Sequence, residues 1–502
     1  MSFEVKNLGL SKETAKEQLL KVFGHAEFRG LQKPAIEDLI HDKNVLLIMP
    51  TGMGKSLCYQ LPARLFAGGL TIVISPLIAL MKDQVDALLL KGFRACFINS
   101  SIEAGEKNAR YRRLANREYE IIYVTPERFR KPEFLEALAQ NQISLLAVDE
   151  AHCISSWGHD FRPDYSRLGD IRRSLGFPLT IALTATATPQ VKEDILNELQ
   201  LTSVGQEVCV HDAGLNRKNL AIRIVEVYGL EQKVQAFVAY KFSTPGPSIV
   251  YFSLIGTLEK FSEQLSKINI PHLTYHGQMS PRDRSRTQNI FLKSDPSVAG
   301  SDLILATPAF GLGIDKENVR SVFHGEISGS LEAYYQEIGR SGRDGLRAEC
   351  FMLFDEDDLS IQMDFVKWGH PDPGFILALY NLLERNSLRV KAEGLDFLRT
   401  QLNFYNRRDF RVETTLNQLE RWESISSVNT RELKVLAPPP AEFLNEQKHE
   451  FFLKNQHQKL FEVLQFAKMK EGCRLQKIKT YFAYDEGPRC GICDLCEKAV
   501  ST

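Results

Sequence analysis

The sequence predicts an α/β protein: two consecutive domains built on parallel sheets, then a helical, winged-helix-like insertion, then a small cysteine-rich module. Apolar runs that alternate with helical patterns, twice over, carry the first part of this reading. Prolines at 371, 373 and 438–440 and a late cluster of four cysteines carry the rest. At 502 residues the chain is too long for one hydrophobic core. The expected domains are 1–210, 211–369, 370–437 and 438–502.

In the first domain Asn44–Ile48, Leu70–Ile74, Ile121–Val124, Leu145–Val148 and Leu179–Leu183 are apolar runs of strand length. In the second they are Ser248–Phe252, Leu303–Leu305, Ser321–Phe323 and Cys350–Phe354. The segments between them suit crossover helices. After the acidic stretch Asp355–Asp358 the pattern turns helical, with amphipathic stretches near 375–384, 394–404 and 412–422. Two β-like stretches, Ile425–Val428 and Leu433–Leu436, follow. Three helices and a small hairpin fit a winged helix, with Arg407, Arg408, Arg411 and Arg421 around the third helix; a helical spacer is the alternative.

Lysine plus arginine number 62 against 63 acidic residues, a net charge of −1, so any polyanion must bind in a local groove and not through a global field. Met1–Glu4 lacks a basic n-region and no apolar run approaches membrane-spanning length, which predicts a soluble cytoplasmic chain, nucleoid-associated if bacterial, with no membrane contact. A monomer is expected.

The run Met49-Pro50-Thr51-Gly52-Met53-Gly54-Lys55-Ser56, directly after an apolar strand, reads as a phosphate cradle. Gly52 and Gly54 let backbone N–H groups turn onto phosphate oxygens, with Thr51 and Met53 completing the loop. Lys55 reaches the β/γ-phosphates and the Ser56 hydroxyl is placed for Mg²⁺. A second motif, Val148-Asp149-Glu150-Ala151-His152, closes another apolar run. Asp149 is the candidate magnesium ligand and Glu150 the group that polarises water. Together the two motifs imply hydrolysis of a nucleoside triphosphate. The second domain has no phosphate loop of its own, so it is expected to complete one site at the cleft.

With these motifs the chain resembles RecQ-family DNA helicases of superfamily 2, over about residues 18–355 and 473–496, which implies two RecA-like domains. Phe23-Gly24-His25-Ala26-Glu27-Phe28-Arg29-Gly30-Leu31-Gln32 matches that family's adenine-reading motif. A Gln32 amide paired with adenine N6 and N7 implies ATP, with Phe23 or Arg29 stacked on the base. Ser75 and Thr125 fall in turns that hold the DNA backbone in related helicases. Trp157, Phe161 and Arg162 belong to a segment resembling the family's aromatic-rich loop, where they would stack on bases or clamp phosphates. Thr184-Ala185-Thr186-Ala187 matches the motif that links nucleotide to DNA. Residues 306–315 resemble motif V, which implies Thr307 on DNA and Gly313 and Asp315 on the nucleotide. Residues 335–345 resemble motif VI, with Arg343 as arginine finger and Arg340 supporting.

The chain departs from the family pattern in three places. Met53 stands where a glycine is usual, Tyr251-Phe252-Ser253-Leu254 lacks the usual Cys and Arg of motif IV, and Gly325-Glu326 replaces an apolar-acidic pair.

Cys473, Cys490, Cys493 and Cys496 have the spacing C-x16-C-x2-C-x2-C, a pattern of structural zinc in a small zinc-binding module; a disulfide pair or iron–sulfur cluster is the alternative. The family's zinc arrangement has matching spacing. The resemblance implies an ATP-dependent helicase acting on single-stranded and forked duplex DNA with 3′ to 5′ polarity, in repair or recombination, using ATP, Mg²⁺ and Zn²⁺. Its rivals are a DNA-stimulated translocase or RNA helicase, and an ATP-switched DNA-binding scaffold.

Overall fold

A computed structural model describes residues 12–500 apart from 67, 77, 100–101, 156–163, 203–204, 216, 312–315, 403–408 and 423. Seven strands form the first sheet: β1 (Asn44–Ile48), β2 (Leu70–Ile74), β3 (Ala95–Ile98), β4 (Ile121–Val124), β5 (Ile143–Val148), β6 (Thr180–Thr184) and β7 (Val208–Asp212). Their order is β3-β4-β2-β5-β6-β1-β7, and every pairing is parallel. Helices cover both faces, so β1, β2 and β6 are buried along their whole length and read as continuous apolar runs. Because the strands are parallel, the turns after β1 and β5 leave the sheet on one edge, with β6 between them. That edge carries the phosphate cradle and Asp149-Glu150.

The second sheet has the order β10-β11-β9-β12-β13-β8, again all parallel. Its strands are β8 (Leu220–Glu226), β9 (Ser248–Tyr251), β10 (Leu273–Tyr275), β11 (Leu303–Ala306), β12 (Ser321–His324) and β13 (Ala348–Phe354). The earliest of these, β8, precedes the first strand expected at Ser248. It is an edge strand, and half of it is only partly buried, so its apolar signal is weak.

The prolines near 371 stand between two helices, Asp358–Gly369 and Pro373–Arg385. Asp372 caps Pro373–Arg385 by accepting from Phe375 N at 2.8 Å, with Pro373 at the first helical position. Helices Ser387–Leu402, bent at Gly394, and Arg411–Arg421 follow. Among the described residues, the two β-like stretches meet at one antiparallel bridge, Ile425 to Val435, flanked by the hydrogen bonds Ser426 N to Lys434 O and Leu436 N to Ser424 O. The unit has its own apolar core of residues such as Leu379, Leu398, Leu416 and Leu433. Helix Glu446–Lys468 then runs back to the second domain, where Leu460, Val463 and Phe466 join the same core as the β13 residues Cys350 and Met352. Among the described residues, no helix is long and apolar enough to cross a membrane.

Candidate nucleotide and nucleic-acid site

The cradle takes its shape from two glycines. Gly52 and Gly54 have φ of +82° and +75°, values that favour glycine, whereas Met53 is not among the residues of positive φ. The loss of the usual glycine at 53 therefore costs the loop nothing. Lys55 Nζ donates to the Met49 carbonyl at 3.0 Å. Burial lowers the proton affinity of this ammonium and the neighbouring Arg343 lowers it further, while Glu150 and Asp149 oppose both.

Asp149 is buried at the end of β5, and burial together with Glu150 pushes its carboxyl up to about 7. Glu150 sits in the left-handed region at φ +49°, a strained conformation for a side chain-bearing residue and one that clusters at functional sites. Its backbone N–H donates to Asp149 Oδ1 at 3.0 Å. His152 Nδ1 lies 3.3 Å from Glu150 Oε2 and 3.1 Å from Thr184 Oγ1, and Thr184 Oγ1 donates to the Thr186 carbonyl. The acidic motif is thereby bonded to the Thr-Ala-Thr-Ala segment after β6.

The second domain reaches this loop. A methyl group at Gly52 would lie 2.8 Å from Arg343 Cδ, and one at Gly339 would lie 3.6 Å from Thr51 Oγ1. Arg340 is buried within its own domain, where a methyl at Gly311 would meet its Nη2 at 2.7 Å. Of the two arginines, Arg343 is the one at the cradle.

Gln32 is also at the loop. Its Nε2 donates to the carbonyls of Met53 and Gly54, each at 3.0 Å, and its Oε1 accepts from Arg29 N at 2.8 Å. Phe23 is packed in the first domain's core beside Phe93, with ring centroids 6.0 Å apart, while Arg29 is exposed. Ser56 begins the helix after the loop. Ser75, Thr125 and Thr307 lie one residue past β2, β4 and β11, at the carboxyl ends of their sheets. Trp157, Phe161, Arg162, Gly313 and Asp315 lie outside the described residues, as do Arg407 and Arg408. Arg411 is held by Asp409 at 2.7 Å and lies over the Phe375 ring, so it braces its own unit.

The sulfurs of Cys473, Cys490, Cys493 and Cys496 all lie within 4.8 Å of one another and none is in a disulfide. Cys490 and Cys496 Sγ are 3.9 Å apart, and a tetrahedron with Zn–S bonds of about 2.3 Å has edges of about 3.8 Å. Four converging thiols with a backbone donor, Cys490 N to Cys473 Sγ at 3.3 Å, fit a closed structural zinc site.

Residues 29–195 match the DEAD/DEAH box helicase family, 231–345 the helicase conserved C-terminal domain, and 440–497 the RecQ zinc-binding domain. The chain is 41% identical over 350 residues to the ATP-dependent DNA helicase RecQ of Bacillus subtilis (strain 168), covering 69% of this chain and 57% of that one. It is 35% identical over 385 residues to the probable ATP-dependent DNA helicase RecS of the same organism, covering 76% of this chain and 75% of that relative. The chain belongs to the RecQ family. It spans little more than half the length of the RecQ relative itself. The fold of the two sheets is shared with S. cerevisiae Dbp5 bound to RNA and ADP BeF3, at a TM-score of 0.54 and 17% identity over 70% of this chain and 90% of that one.

Two departures of this RecQ-family chain compensate each other. A methyl at Gly325 would lie 2.3 Å from the Phe252 ring, and Glu326 Oε2 accepts from Ser253 N at 2.6 Å and Leu254 N at 3.0 Å. The altered motif IV and the altered pair before motif VI thus pack as one unit, with Glu326 accepting from the two backbone N–H groups that lead into helix Ile255–Lys267. Two residues with no sequence signal also shape the site. Arg217 donates to the carbonyls of Gly339, Ser341 and Gly342, and Asn219 Nδ2 donates to Gly342 and Leu346, each at 2.8 Å. They hold the turn that carries Arg343.

Proposed function

We propose that this chain is an ATP-dependent DNA helicase that tracks along one strand in the 3′ to 5′ direction. The observation that carries the reading is Arg343 of the second domain lying over Gly52 of the phosphate cradle in the first. A site built from two domains is complete only when they approach, so binding and hydrolysis of ATP alternately close and open the cleft. The names of the relatives supply DNA as the polymer.

In the closed cleft the cradle amides and Lys55 hold the triphosphate and Gln32 and Arg29 face the base. Glu150 orients the attacking water, and Arg343 meets the charge that grows on the γ-phosphoryl oxygens. A magnesium ion held by Ser56 and Asp149 would supply further neutralisation of that charge. His152 carries the state of Glu150 to Thr184. Turnover measured with and without single-stranded DNA tests the reading, followed by unwinding of forks with a 3′ or 5′ DNA or RNA tail. We expect DNA-stimulated turnover and unwinding only from the 3′ DNA tail. Turnover without unwinding would mark a translocase, preference for an RNA tail an RNA helicase, and negligible turnover a switched scaffold.

A cationic group beside Thr125 gives the strand a track. Lys107, Arg128 and Lys131 have no ion-pair partner among the described residues, unlike Arg110 with Glu106 and Arg130 with Asp164. Burial first, and then the charges of Arg128 and Lys131, hold the Lys107 ammonium below its usual range. An anion would relieve that repulsion. Lys107→Glu combined with Lys131→Glu should weaken single-stranded DNA binding and reduce its salt dependence by about one in slope per lost phosphate contact. An unchanged slope would remove these residues from the track.

A further inference from the structure

The zinc module is part of the second domain's body. Cys473, Ile478, Phe482, Cys493 and Cys496 share one core with Ile222 of β8 and Cys350 of β13, and Glu497 forms an ion pair with Arg223 of β8 at 2.7 Å. From the zinc module Tyr484 crosses to the first domain. Tyr484 OH donates to Asp212, lying 2.7 Å from Oδ1 and 2.8 Å from Oδ2. Asp212 is the last residue of β7, the edge strand of the first sheet.

The same carboxylate takes Lys192 Nζ at 2.6 Å, from the first domain's helix Pro189–Glu198, and Gly214 N at 2.8 Å, from the start of the interdomain link. The Lys192 ammonium also stands 5.0 Å from the Tyr484 ring centroid. At its far end the link is held by Arg217, whose guanidinium donates to the carbonyls of the turn that carries Arg343. The link between the domains is therefore fastened at both ends. At its start the fastening comes from the zinc module, and at its end from the arginine-finger turn.

We infer that Tyr484 is a positioning residue: it ties the zinc module to Asp212 and so favours the closed arrangement in which Arg343 meets the phosphate cradle. On this inference the Tyr484–Asp212 bond is made in the closed arrangement and lost when the zinc module moves away from the end of β7. The bond thus biases a two-state equilibrium, and apparent ATP affinity scales with the closed fraction. The inference rests on reading the cradle as an ATP-hydrolysing site.

The test is Tyr484→Phe in the full chain, which keeps the ring and removes only the hydroxyl. We expect the ATP KM in the presence of single-stranded DNA to rise about tenfold, the scale of one hydrogen bond to a charged acceptor, with kcat within about twofold. Zinc content and Tm should match the parent. Binding of a fluorescent N-methylanthraniloyl ATP should weaken by the same factor. In an Asp212→Ala background the Tyr484→Phe change should add nothing, because the two residues act through one bond. An unchanged KM overturns the proposal, as does an effect that adds fully in the Asp212→Ala background. A rise in KM that comes with lost zinc or a lowered Tm overturns it too, since Tyr484 would then serve only the module's own fold. Absence of hydrolysis in the parent would defeat the functional reading and leave the nucleotide-binding comparison to judge the tie.

Discussion

Replacing Lys55 by Ala is expected to abolish ATP turnover, with a loss on the order of a hundred- to a thousandfold or more, the scale for deleting one preorganised charge from a transition-state site. The ammonium is half-buried and held on the Met49 carbonyl, so its place is largely set before the triphosphate arrives. It also faces Asp149 and Glu150, and its removal leaves the buried Asp149 and the half-buried Glu150 with less opposing charge. Asp149, already pushed up to about 7 by burial and by Glu150, would then hold its proton more tightly, which weakens it further as a ligand for a cation. Glu150→Gln should fail differently. The amide keeps the shape and leaves the cradle untouched, so nucleotide stays bound while water is no longer polarised. Phosphate release and binding of a fluorescent ATP analogue, measured on both variants, separate the two defects. If either variant kept more than about a tenth of parental turnover, the roles assigned to these residues would be wrong.

Much of this site was legible because its chemistry is written in residues that are close in sequence. The cradle, the Asp149-Glu150 pair and the four cysteines each occupy short segments, and the apolar strands that precede the first two announce the sheet edge on which they emerge. What escaped the sequence is what depends on long-range packing. Arg217 and Asn219 have no pattern of their own, and their importance comes from lying against carbonyls more than a hundred positions away. Phe23 and Arg29 are equivalent base-stacking candidates in the sequence, but the Phe23 ring is taken up by the core beside Phe93. The departures at Phe252 and at Gly325-Glu326 are distant in sequence but in contact in the fold, where the Phe252 ring fills the space a side chain at 325 would need and Glu326 accepts from Ser253 N. Strand β8 is silent in the sequence for a related reason, since an edge strand whose second half is only partly buried has no continuous apolar run.

Loss of zinc should unfold more than the residues that bind it. The arginine next to the first cysteine, Arg474, is buried and donates to Asp494, next to Cys493, with both contacts at 3.0 Å, and to the carbonyls of Phe466 and Ala467. Asp494 in turn accepts from Ile224 N on β8 at 3.2 Å. The metal thus closes a loop whose two ends hold a buried charge pair, and that pair is bonded to the edge of the second sheet. A broken pair of this kind costs about 3–5 kcal/mol because each partner is left charged and desolvated. Chelation of the full chain should release one zinc and lower Tm by roughly 2–4 °C for each kcal/mol lost. Cys493→Ser, at a fully buried sulfur, should yield little soluble protein, whereas a serine at the half-buried Cys490 should give more protein of reduced Tm. A catalytic defect without a stability defect in these variants would contradict this account, and so would iron in place of zinc on elemental analysis. The module also shares its core with the helix Leu331–Ile338 that leads into the turn carrying Arg343, so loss of zinc is expected to displace that arginine as well.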